Sequence, residues 1–318
     1  MENRVKKTSW VDIYKKIGIY VILVAVFLFF SIVTPQFRSP ANIINIIRQV
    51  SMFGIVVIGV TIVMLGGGMD LSVGGQMAVD GMIAGILMVN LKVPFGLAIV
   101  IVLLVGVAFG FINGIVTITF NIPPIIVTLG TMLVLNGVAY IVTGGLPVNG
   151  MPEGFKVLGQ GYIGVVPVPV IILIIFVIFG WIVVNKTYLG RQIYAVGGGK
   201  EASRLAGINI KKLQVGMYCF AGFAAATASL ILTSRTNSSQ PSAGADYPFD
   251  CMTAACLGGI SMMGGEGKIS GAVVGVIIIG ILNNGLVLLG VNTHFQSVVK
   301  GLVLLVAVGI DAYQGKSK

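Results

Sequence analysis

The sequence predicts an all-α integral membrane protein of about ten transmembrane helices, and three observations carry that prediction. First, 56% of the 318 residues are hydrophobic and only 9% are charged, with a mean hydropathy of +1.02. A soluble domain carries about a quarter charged residues, so the bilayer must be the solvent for most of this chain. Second, apolar runs near the length of about 20 residues needed to cross a hydrocarbon core recur along it. Third, the basic residues are clustered: Arg4, Lys6, Lys7, Lys15 and Lys16 at the start, six between Asn185 and Gln214, and Lys316 and Lys318 at the end. That distribution follows the rule that places Lys and Arg on the cytoplasmic face. A net charge of +10 is thereby read as topology and not as affinity for nucleic acid or an anionic substrate.

The expected spans are 17–34, 51–66, 75–91, 95–119, 125–142, 165–184, 215–233, 251–264, 271–289 and 298–312. The second, eighth and tenth are short for a straight crossing, which implies tilted or broken helices continued by adjacent glycine-rich turns. Ten spans put both termini on the cytoplasmic face. Fourteen of the 20 basic residues then lie inside, against Arg38, Arg48, Lys92, Lys156, Arg235 and Lys300 outside. Residues 39–50, SPANIINIIRQV, carry apolar positions at Ile43, Ile44, Ile46 and Ile47 after Ser39-Pro40 and read as a short amphipathic interfacial helix. Two outer loops follow, at 143–164 and 234–250, each able to meet an external partner or simply to connect spans. The 45 glycines include Gly106, Gly110 and Gly114, two overlapping G-x-x-x-G units on one helix face. These predict close helix packing, within the chain or between copies. A faint repeat relates 64–85 to 256–275, the kind of duplication on which transporters are built.

Asp70 and Asp80 are the acids expected at membrane depth, where ionisable groups are costly and mark a pathway or relay. Asp70 sits in GGGMDLSVGG, where glycines should interrupt the helix, and with Ser72 it would cap the helix that follows. Uncharged polar groups punctuate several spans: Gln76, Asn113, Thr128, Asn136, Asn283 and Asn284. They are suited either to a neutral polyol or to interhelical bonding. Cys219, Cys251 and Cys256 read as small buried hydrophobes without metal-type spacing. No nucleotide-cradling G-x-x-x-x-G-K-[ST] is present: Gly199-Lys200 is followed by Glu201, and Gly267-Lys268 by Ile269. No catalytic motif, cofactor site or metal site is expected, so a transporter of this kind would draw on ATP hydrolysed by another chain.

The polar stretch 185–214 interrupts this apolar sequence. Within it, Glu201 to Leu205 should form a short helix stopped at Gly207. Such a helix could transmit a partner's movement, its small residues Ala202, Ser203 and Ala206 letting it seat in a groove, or it could lie on anionic lipid. Sequence physics leaves both open. Here the chain resembles the permeases of bacterial ABC importers for monosaccharides, the ribose importer permease and its relatives. The anchors are GGGMDLSVGG (66–75), LGRQIYAVGGGKEASRLAGINI (189–210), SSQPSAGADYPFD (238–250), LGGISMMGGEGKISGAVVG (257–275) and LNNGLVLLGV (282–291). One departure is Gly75-Gln76, where the ribose branch usually has Ser after Asp-Leu-Ser-Val-Gly.

The resemblance implies a permease domain over 1–318 with a cobalamin-importer-like arrangement, in the bacterial cytoplasmic (inner) membrane. It implies a second permease copy, identical or similar, a tandem ATPase subunit and an extracytoplasmic sugar-binding protein. By resemblance, ATPase coupling falls on Gly198, Lys200, Glu201, Ala202, Ser203, Arg204, Leu205, Ala206, Gly207 and Ile208. The expected substrate is ribose or a related neutral sugar, with a sugar-like autoinducer as a further branch. A proton-coupled transporter using Asp70 and Asp80, and a channel or membrane scaffold, are the readings from other classes.

Overall fold

The computed structural model describes residues 10–316, with side chains from 18 to 309. The basic residues Arg4, Lys6, Lys7 and Lys318 lie outside the described residues, and Lys15, Lys16 and Lys316 outside the described side chains. The helices are α1 (Trp10–Val33), α2 (Pro40–Leu65), α3 (Val73–Gly85), α4 (Phe95–Thr119), α5 (Pro124–Thr143), α6 (Glu153–Gln160), α7 (Val168–Lys186), α8 (Tyr188–Gly198), α9 (Lys200–Leu205), α10 (Ile210–Thr236), α11 (Tyr247–Leu257), α12 (Ile269–Leu288) and α13 (Thr293–Lys316). A π-helical turn, Ile86–Asn90, prolongs α3.

Among the described residues, seven helices are long and apolar enough to cross a membrane: α2, α3 with its π turn, α4, α5, α7, α10 and α12. In α1 and α13 the parts with described side chains, Gly18–Val33 and Thr293–Gly309, are apolar, and the rest of both helices lies outside the described side chains. Two expectations need correction. Residues 39–50 are not a separate interfacial helix but the first turns of α2. Ser39 caps it, its Oγ accepting from Asn42 N at 3.3 Å, and Pro40 opens it. Nothing between Val50 and Phe53 breaks the helix, so it runs on for 26 residues. The expected span 251–264 is also not a continuous helix. Its helical part, α11, has 11 residues, a rise of about 16 Å against the roughly 30 Å of a hydrocarbon core.

The two ends of α2 orient the rest. Near its start, Arg235 at the end of α10 donates from Nη2 to Asn45 Oδ1 at 2.6 Å, and Arg48 donates to Gln160 O at 3.0 Å. Both expected outer loops gather at this end. Val148 and Asn149 pair antiparallel with Ser239 and Ser238, and Gly159 N donates to Ser234 Oγ at 2.8 Å. A second two-residue pairing joins Tyr162–Ile163 to Val166–Pro167. At the other end Gly265 N donates to Leu65 O at 2.9 Å. Asn45 and Leu65 are twenty residues apart on α2, about 30 Å. The chain therefore covers that distance between 235 and 265 with one half-length helix and an irregular segment, backbone that is tolerated at membrane depth only where protein surrounds it.

The core is built around α2 and α10. Ile55 to Val57 of α2 are fully buried, as are Ala224, Ala225 and Ala228 of α10. Small residues make that approach possible: a Cβ on Gly59 would lie 2.9 Å from Ala224 Cβ. The G-x-x-x-G face of α4 is used within the chain, against α10. A Cβ on Gly110 would fall 2.1 Å from Tyr218 O, and one on Gly106 2.6 Å from Gly222 O. Leu104, Phe111 and Ile115 on α4, like Leu133 and Ile141 on α5, remain exposed, as lipid-facing side chains do.

Candidate translocation and coupling sites

Between α2 and α3 the glycines of GGGMDLSVGG end one helix, and Asp70 prepares the next. Its Oδ1 accepts from Ser72 N at 2.9 Å and from Ser72 Oγ at 2.5 Å, so the carboxylate holds the chain in the turn that enters α3. Ser72 Oγ in turn accepts from Gln76 Nε2 at 2.6 Å and from Asn113 Nδ2 of α4 at 2.8 Å. Asn113 Oδ1 accepts from Thr131 Oγ1 of α5 at 2.7 Å. A continuous hydrogen-bonded chain thus links α3, α4 and α5, with Asp70, Ser72, Gln76 and Asn113 all fully buried. Thr128 lies alongside, its Oγ1 donating to Pro124 O at 2.9 Å. Asn136 faces Gly75, where a Cβ would come 3.3 Å from its Oδ1.

Asp80 is two turns further along α3. It is fully buried, and neither carboxylate oxygen has a hydrogen-bond partner among the described residues. Along α3 the chain from Asp70 ends at Gln76 and does not reach it. Thr131 was not anticipated from the sequence, although it follows Thr128 at a spacing that shares a helix face.

Asn283 and Asn284 are not brought to this cluster, nor do they act as a pair. Asn284 exchanges two amide hydrogen bonds with Asn42 at the start of α2, at 2.9 and 3.0 Å. Asn283 Nδ2 donates to Asp250 Oδ2 of α11 at 3.0 Å, and Lys300 Nζ of α13 reaches the same oxygen at 3.0 Å and Asp246 Oδ2 at 3.2 Å. Neighbours in sequence point to different sides of α12, so their polarity serves two separate contacts. A cavity of about 280 Å³ opens beside the Asp250–Lys300 pair, lined also by Gln49, Arg235 and Gln296. The signal missed in the sequence was Lys300 itself, a lone cation at the edge of an apolar run.

The polar stretch folds as two short helices. Thr187 caps α8, its Oγ1 accepting from Gly190 N at 3.4 Å. The helix α9 begins at Lys200 and ends where expected: Gly207 adopts φ +79°, and Ile208 N donates to Ser203 O at 3.1 Å. Only Ser203 of the three small residues is buried; Ala202 and Ala206 are exposed. Glu201 and Arg204 pair on the surface at 3.0 Å, and Leu205 is 82% exposed. The face presented outward is therefore Lys200, Glu201, Ala202, Arg204, Leu205 and Ala206.

Behind α9 the two halves of the faint repeat meet. A Cβ on Gly197 of α8 would lie 2.0 Å from Leu65 O and 2.4 Å from Gly265 N, and one on Gly264 2.6 Å from Gly67 Cα. Gly67 and Gly264 take φ +71° and +88°, conformations that favour glycine. Tyr194 OH donates to Gly267 O at 2.8 Å. The end of α8, the break before α3 and the loop after α11 are joined by backbone contact.

Buried polar groups, broken helices at membrane depth and an outward-facing short helix define a multi-pass membrane transport component. Residues 42–308 match the family model described as branched-chain amino acid transport system / permease component, and the chain belongs to that family. The ribose import permease protein of Haemophilus influenzae is 40% identical over 303 residues, 94% of each chain. That of Bacillus subtilis is 39% identical over 313 residues, 98% of this chain and 97% of the relative. The galactose/methyl galactoside import permease protein of Salmonella typhimurium is 32% identical over 328 residues, 98% of each. No solved structure gives a significant match.

Proposed function

We propose that this chain is the permease of an ATP-driven importer and passes a neutral monosaccharide, ribose or a related sugar, across the bacterial cytoplasmic membrane. The observation that carries this reading is the uncharged hydrogen-bonding network in which Gln76 and Asn113 both donate to buried Ser72 and half-buried Thr131 donates to Asn113. Amides and hydroxyls can exchange their mutual bonds for those of a polyol without moving a charge. The ribose import relatives, similar over nearly the whole length, favour a sugar over the amino acids named in the family description. Asp70, Thr128, Asn136 and Asp80 would stand beside this path, and Asn283 with Asp250 and Lys300 would form a second polar position nearer the outer loops.

In this reading the protein is one permease unit over 1–318, with both termini cytoplasmic and α11 with its loop completing a tenth crossing in a cobalamin-importer-like arrangement. A second permease copy, a tandem ATPase on α9 and an extracytoplasmic sugar-binding protein on the outer loops complete the importer. Glycine-only contacts behind α9 favour this over a proton-coupled carrier, because they give an ATPase a mechanical route to the α2–α3 break. The interruption of the polar chain between Gln76 and Asp80 also argues against a proton relay.

The test is uptake of radiolabelled ribose, galactose and leucine by cells expressing the chain with its neighbouring ATPase and binding-protein genes. Ribose or galactose uptake that collapses on ATP depletion and persists with an uncoupler at constant ATP is expected. Uptake by the permease alone, abolished by the uncoupler, would favour the proton-coupled carrier instead.

Gly207→Pro should abolish transport with the protein still inserted, since proline is fixed near φ −65° and Gly207 stands at +79°. Glu201→Arg should do the same by reversing the charge on the exposed face of α9. ATPase stimulation by the loaded binding protein is the readout, and wild-type stimulation in both variants at matched expression would remove α9 from the coupling role.

A further inference from the structure

We infer a binding site for a phosphate-bearing ligand in the cavity between α9, the start of α10 and the turn joining α4 to α5. This cavity, of about 590 Å³, belongs to neither polar position described above, and the inference rests on its geometry and not on the transport reading. Its inner wall holds Gln214 of α10 and Thr117 of α4, 4% and 6% exposed. Gln214 Nε2 and Thr117 Oγ1 are both buried and without a hydrogen-bond partner among the described residues. A buried donor left unpaired is costly, so two such donors on residues of one cavity wall point to a ligand that accepts from them.

The charge of the rim says which kind. Lys200, Arg204 and Lys211 line it against the single acid Glu201, which is engaged by Arg204 at 3.0 Å. Lys200 and Lys211 have no ion-pair partner among the described residues. The 27-residue helix α10 also begins at this cavity, so the positive end of its dipole faces the same space. Two unpaired ammonium groups, an amide N–H, a hydroxyl and a helix N-terminus match a multi-oxygen anion. The volume exceeds that of inorganic phosphate, and Ile118, Ile122 and Pro123 form an apolar wall. A phosphate ester fits both parts, its group on the polar wall and its organic part along the apolar one. Because Lys200, Glu201 and Arg204 also belong to the outward face of α9, occupancy would alter the surface offered for coupling.

The ester could be a soluble sugar phosphate or a phospholipid headgroup, and one experiment separates them. The full-length permease is purified into phosphatidylcholine nanodiscs with and without phosphatidylglycerol. Ribose 5-phosphate and inorganic phosphate are titrated by calorimetry, and retained lipid is identified by native mass spectrometry. Binding of ribose 5-phosphate, weakened about tenfold or more in Gln214→Leu and Lys211→Met, assigns a soluble ester. Selective retention of phosphatidylglycerol, lost in the same variants, assigns the headgroup. Either supports the site. Absence of binding by all three probes, or binding unchanged in both variants, overturns it. Thr117→Val replaces Gln214→Leu if that variant is not monodisperse.

Discussion

Gly197→Ala is expected to abolish ATP-driven uptake, whereas Gly198→Ala, one residue further on and counted with the coupling residues by resemblance alone, is expected to transport far better because its added methyl has open space. The two positions share a helix and a residue type and differ in surroundings. A methyl on Gly197 would enter the space of Leu65 O and Gly265 N, at 2.0 and 2.4 Å, while one on Gly198 meets nothing within 4 Å. Neither neighbour of Gly197 is a side chain that can swing aside, so the backbones must part. Overpacking of this kind costs about 1–3 kcal/mol. Its larger effect falls on transmission, because Gly197 lies where α8 touches both the end of α2 and the loop before α12. Uptake and the thermal midpoint of the detergent-solubilised protein should be measured for both variants. Equal activity in the pair would show that this contact is not on the coupling route.

The second large effect is expected at Ser72→Ala. One hydroxyl donates to Asp70 Oδ1 and accepts from Gln76 Nε2 and Asn113 Nδ2. Its removal leaves the buried amides of Gln76 and Asn113 without their acceptor, while Asp70 Oδ1 keeps only the bond from the backbone N of residue 72. Unsatisfied buried polar groups cost about 1–3 kcal/mol each, so a loss on the order of 3 kcal/mol follows even if the neighbours partly rearrange. Thermal unfolding in detergent should show it as a marked fall in midpoint, with uptake reduced further than Thr131→Val, which removes only the last link of the chain. A Ser72→Ala protein as stable as wild type would mean that the neighbours satisfy one another without it.

Much of the fold was legible because its signals are local. Apolar length marked the long spans, Ser39-Pro40 marked a helix start, though of a separate interfacial helix, and Gly207 marked the end of α9. The glycines of α4 announced close packing, but only the structure shows that α10 receives them. What was illegible has a common cause. Whether 39–50 stands alone or continues into α2 depends on the absence of a break, and an amphipathic pattern does not report that. Asn283 and Asn284 look like a unit in sequence, yet adjacent residues on a helix point about 100° apart, so Asn42 takes one and Asp250 the other. The meeting of Gly67, Gly197 and Gly264 is least visible of all. Glycine in a sequence declares conformational freedom and says nothing of what backbone will come to lie against it.

The segment from Tyr247 to Lys268 bears on how the protein is made. A bilayer readily accepts long apolar helices such as α2, α4 and α7 as they emerge, but an 11-residue helix followed by open glycine backbone offers it unpaired amides and carbonyls. Leu65 and Gly197, which receive that backbone, precede it in the chain, and α12, against which α11 packs, comes after it. Synthesis from the N-terminus therefore lays down the backbone that receives the glycine loop before that loop, whereas α12 and α13, against which α11 mainly packs, come after it. The loop thus closes onto backbone laid down some sixty to two hundred residues earlier, and it is itself closed over by the helices that follow.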